Sequence, residues 1–386
     1  MGQSTLVILS ITLGLLAAVI CTAGCVTDNQ SADDKAAAVR PNGIFVGTYE
    51  EKTGAASFTG IPFAKQPDGK LRWKAPQALN TSTENIYVGI AWVPDAESSM
   101  PYQDTCRAVR EAGGIPVLLG EVYSGTLRYE GGHLSSECQT KGRYLTADAA
   151  ETVKAESADS TNALEVLRNV DAVIFAGGED ISPTLYLESP DSQDIVEIDF
   201  NAERDVSDYL LMKYCLEHDI PTLAVCRGMQ MLCVVSGGKL IPDIPAYFSA
   251  LGREYHFEHR NAAADSDGYR DFAPTTVTVT NQSSLLYQIT GKETLTGCPC
   301  WHHQAVSSVD GTSVIVTGVS ETSGINLIEV LECPDKTFLL GVQFHPETAV
   351  VKHLDGKENA DRFMDIETAL SFFGALLDAA KEKSGS

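Results

Sequence analysis

The chain has 386 residues, of which 44% are hydrophobic and 21% are charged. This length allows one large domain or two ordinary ones, and the composition is typical of a globular protein rather than a disordered or collagen-like chain. A net charge of −24 argues against nucleic acid as a partner, and any site for an anionic substrate would need its own Arg or Lys. The 10 cysteines are too few for a disulfide scaffold in a chain of this size.

The amino terminus has the pattern of an export signal. Residues 6–20 are almost all apolar or small, a run that is short for a membrane span but typical of a secretory signal. Small residues then lead into Cys25, as in a bacterial lipoprotein signal, although no Lys or Arg precedes the run and Thr22 stands where an aliphatic residue is usual. An ordinary signal peptide or an uncleaved anchor is the alternative. We expect an exported protein that is held at the outer cell surface by a lipid on Cys25.

Shifts in composition divide the chain into four segments. Residues 1–25 form the predicted signal, and residues 26–40, rich in polar and small side chains, form a predicted tether. Residues 41–84 are punctuated by Gly and Pro and predict a small β-rich module. Within that module, 58–76 resembles the opening segment of type-B carboxylesterases, but the chain has no Gly-x-Ser-x-Gly motif, so we expect no esterase chemistry. Residues 85–386 are predicted to be the main domain.

Apolar runs and helical patterns alternate along the main domain. Strands are predicted at 86–92, 115–119, 172–176 and 222–225, and helices at 102–112, 163–168, 204–218 and 227–235, with a polar insertion over 121–159. The C-terminal third adds strand-like runs at 275–280, 313–318, 326–331 and 338–344 and a closing helix at 361–382. This alternation predicts an α/β fold in which a mostly parallel central sheet has helices on both faces, a flavodoxin-like three-layer sandwich.

The first chemical motif lies where a predicted strand stops at Cys226 and a helical pattern begins at Arg227. A side chain at such a corner is exposed above the sheet, and the helix N-terminus favours a thiolate there. Gly228 lets the helix pack closely at the sharp turn. The motif predicts a cysteine nucleophile, and the alternative is a buried cysteine at the end of a core strand, as we expect for Cys233.

Two further motifs also follow predicted strands. His345 ends one strand, and Glu347 lies two residues later, where a carboxylate can orient the ring of a general base. Gly177 and Gly178 end another strand, and their backbone N–H groups can approach a ligand closely because no Cβ intervenes. Each pattern alone is also typical of an ordinary loop. Together they predict one site, because sites in α/β sheets form at the C-terminal ends of strands.

The three motifs in this order resemble the class I glutamine amidotransferase-like superfamily, and within it the gamma-glutamyl-gamma-aminobutyrate hydrolase-like cysteine peptidases. The similarity runs from about residue 86 to the C-terminus and includes Arg204-Asp205, Cys226-Arg227-Gly228-x-Gln230, Gly237-Gly238-Lys239-Leu240 and Trp301-His302-His303-Gln304. It implies a Cys226–His345–Glu347 triad that cleaves γ-glutamyl amides through a thioester. It also implies that the N–H groups of Gly178 and Arg227 hold the oxyanion.

The resemblance further implies a substrate pocket near Gly177, Gln230, His303 and Gln304. Capping of a strand is the alternative for His303 and Gln304. Because the protein is acidic, Arg227 and Arg260 are candidates to neutralise a carboxylate of the substrate.

The sequence also departs from the family pattern. Ala224 stands where a Gly is usual, and Cys300-Trp301 stand where the family tends to have Asn-Ser and an aromatic or aliphatic residue. Cys298 and Cys300 could be a disulfide partner site or, less favourably, two zinc ligands. No second Cys/His pair with zinc-site spacing accompanies them in the sequence, so we expect no metal and no cofactor.

The favoured function is a thiol hydrolase, and two alternatives stay open. A glutaminase subunit that releases ammonia is disfavoured because the predicted export signal would separate it from cytosolic ATP. A surface-anchored, non-catalytic binding protein is disfavoured because all three predicted triad residues are present. The expected partner is a small γ-glutamyl substrate, with membrane contact only through the N-terminal lipid or signal anchor. Formation of a homodimer is left open.

Overall fold

The computed structural model describes two separate parts of the chain. It gives the backbone of four short strands at 37–40, 43–46, 48–50 and 55–57, and then residues 85–384 except 97, 188–189, 191–198 and 261–271. The short strands pair as two antiparallel hairpins, β1 (Ala37–Arg40) with β2 (Gly43–Val46) and β3 (Thr48–Glu50) with β4 (Ala55–Ser57). The predicted signal with Cys25 and the carboxylesterase-like run at 58–76 lie outside the described residues.

A compact unit begins at Ile86. Its strands are β5 (Tyr87–Ile90), β6 (Ile115–Leu118), β7 (Tyr129–Glu130), β8 (His133–Leu134), β9 (Ala172–Phe175), β10 (Thr222–Val225), β11 (Lys239–Ile241), β12 (Ala273–Val279), β13 (Thr294–Cys300), β14 (Ala305–Ser308), β15 (Ile315–Thr322), β16 (Ile325–Glu332) and β17 (Leu339–Val342). Its helices are α1 (Met100–Glu111), α2 (Ala147–Ala155), α3 (Ala163–Val166), α4 (Ala202–Glu217), α5 (Arg227–Val235), α6 (Ile244–Ala250), α7 (Leu285–Thr290), α8 (Pro346–Leu354) and α9 (Ile366–Ser384).

The centre of the sheet is parallel. Strands β6, β5, β9, β10 and β17 lie side by side in that order, each parallel to its neighbour. Beyond β17 the sheet continues antiparallel through β16, β15, β12 and β13, and β14 and β11 join it from β16. A tight turn at Ser323 and Gly324, with φ of 49° and 78°, connects β15 to β16 and accounts for their antiparallel pairing.

Helices cover both faces of the central strands, as predicted from the sequence. Val173 and Phe175 of β9 pack in one apolar cluster with residues of α2, α4 and α5. Ala172 and Ile174 of the same strand pack in a second cluster with residues of α1, α8 and α9. Successive side chains of a strand point to opposite faces, so a strand buried on both sides reads as a continuous apolar run. The predicted three-layer α/β sandwich is therefore confirmed.

The topology places three loops at one edge of the sheet. Strands β9, β10 and β17 are adjacent and parallel, so their C-terminal ends meet there. The loops that follow them carry the glycine pair, Cys226 and His345, respectively. In the described part of the chain, every helix is either too short or too polar to cross a membrane.

Candidate active site

Cys226 forms the corner between β10 and α5. Its φ of 52° is in the left-handed region, which a non-glycine residue rarely adopts, and such strain is common at functional sites. The backbone N–H of Cys226 donates to the carbonyl of Val342 at 2.7 Å, which ties the corner to β17. A Cβ on Gly228 would lie 2.6 Å from the carbonyl oxygen of Phe175, so only glycine lets α5 begin this close to β9.

His345 and Glu347 form a buried pair beside this corner. Nδ1 of His345 lies 2.6 Å from Oε1 of Glu347, and the side chains are 1% and 0% exposed. The backbone N–H of His345 donates to Pro299 at 2.8 Å, which fixes the loop against β13. Burial alone would lower the pKa of the His345 ring, but Glu347 and Cys226 raise it to about 10. Cys226 thus interacts electrostatically with a ring that stays protonated at neutral pH.

The glycine pair lies against both of these features. A Cβ on Gly177 would lie 2.7 Å from Cε1 of His345 and 3.6 Å from Cβ of Cys226. A Cβ on Gly178 would overlap the guanidinium of Arg204. The absence of side chains therefore lets the backbone at the end of β9 approach the thiol and the imidazole. Gly178 lines the same pocket as Cys226.

A buried network of charges lies beneath the loops. Arg227 forms ion pairs with Asp205, at 2.5 Å, and with Asp208. Arg204 binds Glu179 at 2.5 Å and donates to the carbonyl of Gly177 at 3.0 Å. Although burial opposes ionisation, these arginines lower the pKa of Glu179 to about 2. The network therefore holds the glycine turn and the start of α5 in fixed positions.

This network changes the interpretation of Arg227. Its side chain is 1% exposed, and its guanidinium faces the two carboxylates of the network. That placement does not support the prediction that the guanidinium neutralises a substrate carboxylate, because its charge already has two partners. The backbone N–H of Arg227 is still at the corner. The family pattern carried Arg204-Asp205 in the sequence, but the roles of Glu179 and Asp208 were missed.

One pocket opens onto Gly178 and Cys226. Its lining residues are Gly178, Asp180, Asp199, Cys226, Arg227, Gln230, Arg260, Trp301, His302, His303 and Gln304. Arg260 lies over the ring of Trp301, 4.3 Å from the ring centre, in a cation–π contact. The lining therefore includes the local cation that an acidic protein needs for an anionic substrate, together with two aspartates.

The predicted pocket residues are held by side chains and backbone around them. Gln230 donates through Nε2 to the carbonyl of Gln304 at 3.1 Å and to Oε1 of Gln343 at 3.2 Å. His303 lies between two carboxylates, with Nε2 2.9 Å from Asp180 and Nδ1 3.1 Å from Asp243. The structure thus brings the predicted site residues of the main domain to one place, while Cys25 lies outside the described residues.

All residues of this site lie within a segment that matches a known protein family. The family model of peptidase C26 matches residues 147–347. A Mycobacterium tuberculosis protein provisionally named a glutamine amidotransferase is 29% identical over 72% of this chain and 77% of its own length. A glutamine amidotransferase-like protein of Rickettsia prowazekii is 32% identical over 47% and 72%. The gamma-glutamyl-gamma-aminobutyrate hydrolase of Escherichia coli O157:H7 is 29% identical over 47% and 66%.

Proposed function

Because this chain belongs to the peptidase C26 family, we propose that it hydrolyses γ-glutamyl amide or peptide bonds with Cys226, His345 and Glu347 as catalytic residues. The family resemblance inferred from the sequence is confirmed, and the chain is a glutamine amidotransferase-like hydrolase. The finer proposal is carried by the buried His345–Glu347 pair, which faces Cys226 at the pocket. The name of the E. coli relative supports the γ-glutamyl bond as the target.

Acylation would begin with His345 already protonated, as an imidazolium beside the thiolate form of Cys226. The thiolate then attacks the γ-carbonyl carbon, a C–S bond forms, and the carbonyl π electrons move to oxygen. The N–H groups of Gly178 and Arg227 donate to this oxyanion. As the oxyanion collapses, the C–N bond breaks, and the His345 imidazolium gives its proton to the leaving amine. Glu347 stabilises the imidazolium throughout, and a thioester remains on the sulfur.

Deacylation would use the same residues in the opposite sense. Neutral His345 takes a proton from water, whose oxygen attacks the thioester carbon. The same two N–H groups hold the second oxyanion, and the C–S bond breaks as the γ-carboxylic acid forms. The released thiolate of Cys226 again faces the imidazolium. Arg260 is the cation of the pocket that we assign to a carboxylate of the substrate.

The experiment is a panel of substrates that share the γ-glutamyl bond. It comprises γ-glutamyl-γ-aminobutyrate, γ-glutamyl dipeptides, poly-γ-glutamate, γ-linked cell-wall peptides and free glutamine, each assayed for released amine. We expect turnover of at least one amide by the wild type and none by Cys226→Ala. Ammonia release from glutamine alone would assign the glutaminase function instead. Release from no member of the panel would exclude the hydrolase and favour a binding protein.

The pH dependence tests the assignment of His345. Against the effect of burial, Glu347 and Cys226 raise its pKa to about 10, so the ring keeps the proton that the leaving amine needs. We expect kcat/KM to fall only as pH rises through about 10. Glu347→Gln removes the carboxylate and lowers this pKa, so the descending limb should move down by about 1–3 pH units. Glu347→Asp keeps the charge and serves as the control. If the descending limb stays at the same pH in both variants, its assignment to His345 is contradicted.

A further inference from the structure

Apart from the proposed catalytic residues, a cluster of potential metal ligands lies behind one wall of the pocket. One potential ligand atom from each of Cys300, His302 and Glu329 lies within 4.8 Å of the other two. The residues are 0%, 5% and 0% exposed. We propose that these three side chains form a binding site for a divalent zinc ion. The proposal concerns metal binding alone and does not depend on the hydrolase function.

Two polar atoms of the cluster have no hydrogen-bond partner among the described residues. Nδ1 of His302 lies 2.8 Å from the carbonyl oxygen of Gln304, which needs an N–H donor and so leaves Nε2 as the basic nitrogen. That Nε2 is buried and unpartnered. Oε1 of Glu329 accepts from Ser320 at 2.8 Å, whereas its Oε2 is also buried and unpartnered. Buried polar atoms of this kind are rare without a ligand to satisfy them.

The surrounding contacts are those that orient metal ligands. A histidine ligand commonly donates its other ring nitrogen to a carbonyl, as His302 does to Gln304, and a carboxylate ligand is itself hydrogen-bonded. Glu329 is hydrogen-bonded in this way, because Ser320 donates to its Oε1. Nε2 of His259 lies 3.3 Å from the same oxygen. The ligands are thus held in place before an ion arrives.

The donor set selects zinc over magnesium or calcium. One sulfur, one imidazole nitrogen and one carboxylate oxygen are typical zinc ligands, whereas the harder cations take oxygen ligands only. Binding would form a Zn–S bond as the thiol of Cys300 loses its proton to solvent. A thiolate and a carboxylate then balance the two positive charges of the ion, so the buried site has no net charge. A tetrahedral ion keeps one position for a non-protein ligand.

The fold explains why the sequence did not predict this site. Cys300 ends β13, His302 follows it, and Glu329 lies on β16, so the ligands meet only in the folded sheet, where β14 pairs with β16 at Val306 and Ile328. Cys298, which the sequence offered as a second zinc ligand beside Cys300, is not in the cluster. His302 also lines the pocket, which gives an ion a route to the site.

The experiment measures zinc directly. The full-length protein is loaded with Zn²⁺, dialysed and analysed for bound metal, and Co²⁺ is used as a spectroscopic probe of thiolate ligation. Cys226 interacts electrostatically with Cys300 and lines the same pocket as His302, so every variant is made on a Cys226→Ala background. We expect one zinc per chain on that background, and a loss of affinity of about 100-fold or more with Cys300→Ser or Glu329→Gln.

The matched control is Cys298→Ser, two residues away and equally buried, which should keep both the zinc and the thiolate-to-cobalt absorption. Glu329→Gln changes no volume, so it tests the site if Cys300→Ser fails to fold by circular dichroism. If Cys226→Ala alone loses zinc, the ion binds at the proposed nucleophile, and the proposal is overturned. Absence of stoichiometric zinc in the wild type, or its retention by both ligand variants, would overturn it as well.

Discussion

Replacing Cys226 with alanine is expected to lower kcat/KM by about 10,000-fold or more while the fold remains intact. The sulfur is the atom that would form the covalent bond, and no other described cysteine lines the pocket. The side chain is small and lies at a helix start, so its loss creates little cavity. The measurement is amine release from the best γ-glutamyl substrate, with thermal unfolding of both proteins as a check on folding.

Cys233→Ala is the matched control for this prediction. Cys233 lies on the same helix, α5, but is fully buried, and burial raises its pKa to about 12. We expect this variant to keep its activity per folded molecule and to lose only stability. Equal activity of Cys226→Ala and wild type would mean that the chemistry does not pass through this sulfur, and it would remove the thiol mechanism.

The local elements around the site were predictable because their signals are local. The run of apolar residues at 222–225 ends where the helical spacing at 227–235 begins, and β10 and α5 have these bounds. Helix α2 was missed and lay within the predicted polar insertion. Its buried residues are Ala149, Ala150 and Val153, whose small side chains give no strong apolar stripe. In the antiparallel half of the sheet, hairpins such as β15–β16 are joined by the non-consecutive pairs β12–β15 and β14–β16, which residue patterns do not encode directly.

The direction of a side chain was harder to predict than its position. The sequence places Arg227 directly after the candidate nucleophile, and an arginine there could face either the ligand or the protein. The answer depends on Asp205 and Asp208, which lie one helix earlier, on α4. Only the packing of α4 against α5 shows that these carboxylates meet the guanidinium. The same is true of Glu329, which reaches His302 through strand pairing.

The second prediction concerns the stability of the fold, which we expect to depend on the buried charges beneath the site. Arg227→Met leaves Asp205 and Asp208 buried without their main partner. Removing one member of a buried ion pair typically costs about 3–5 kcal/mol, because the remaining charge is desolvated and uncompensated. We expect the free energy of unfolding to fall by about that amount in guanidinium denaturation at pH 8. Arg227→Lys keeps the charge but loses the planar guanidinium. Its free energy of unfolding should lie between those of the wild type and Arg227→Met.

The pH dependence separates this electrostatic cause from a simple loss of packing. Burial raises the pKa of Asp205 to about 6 and also raises that of Asp208, in both cases against the effect of Arg227. A carboxyl with a raised pKa binds its proton more tightly in the folded state, so its contribution favours folding at low pH and is lost as pH rises through that pKa. Without Arg227 both values rise further. The stability deficit of Arg227→Met should therefore be smaller at pH 5 than at pH 8, and an equal deficit at both would show that the guanidinium contributes packing alone.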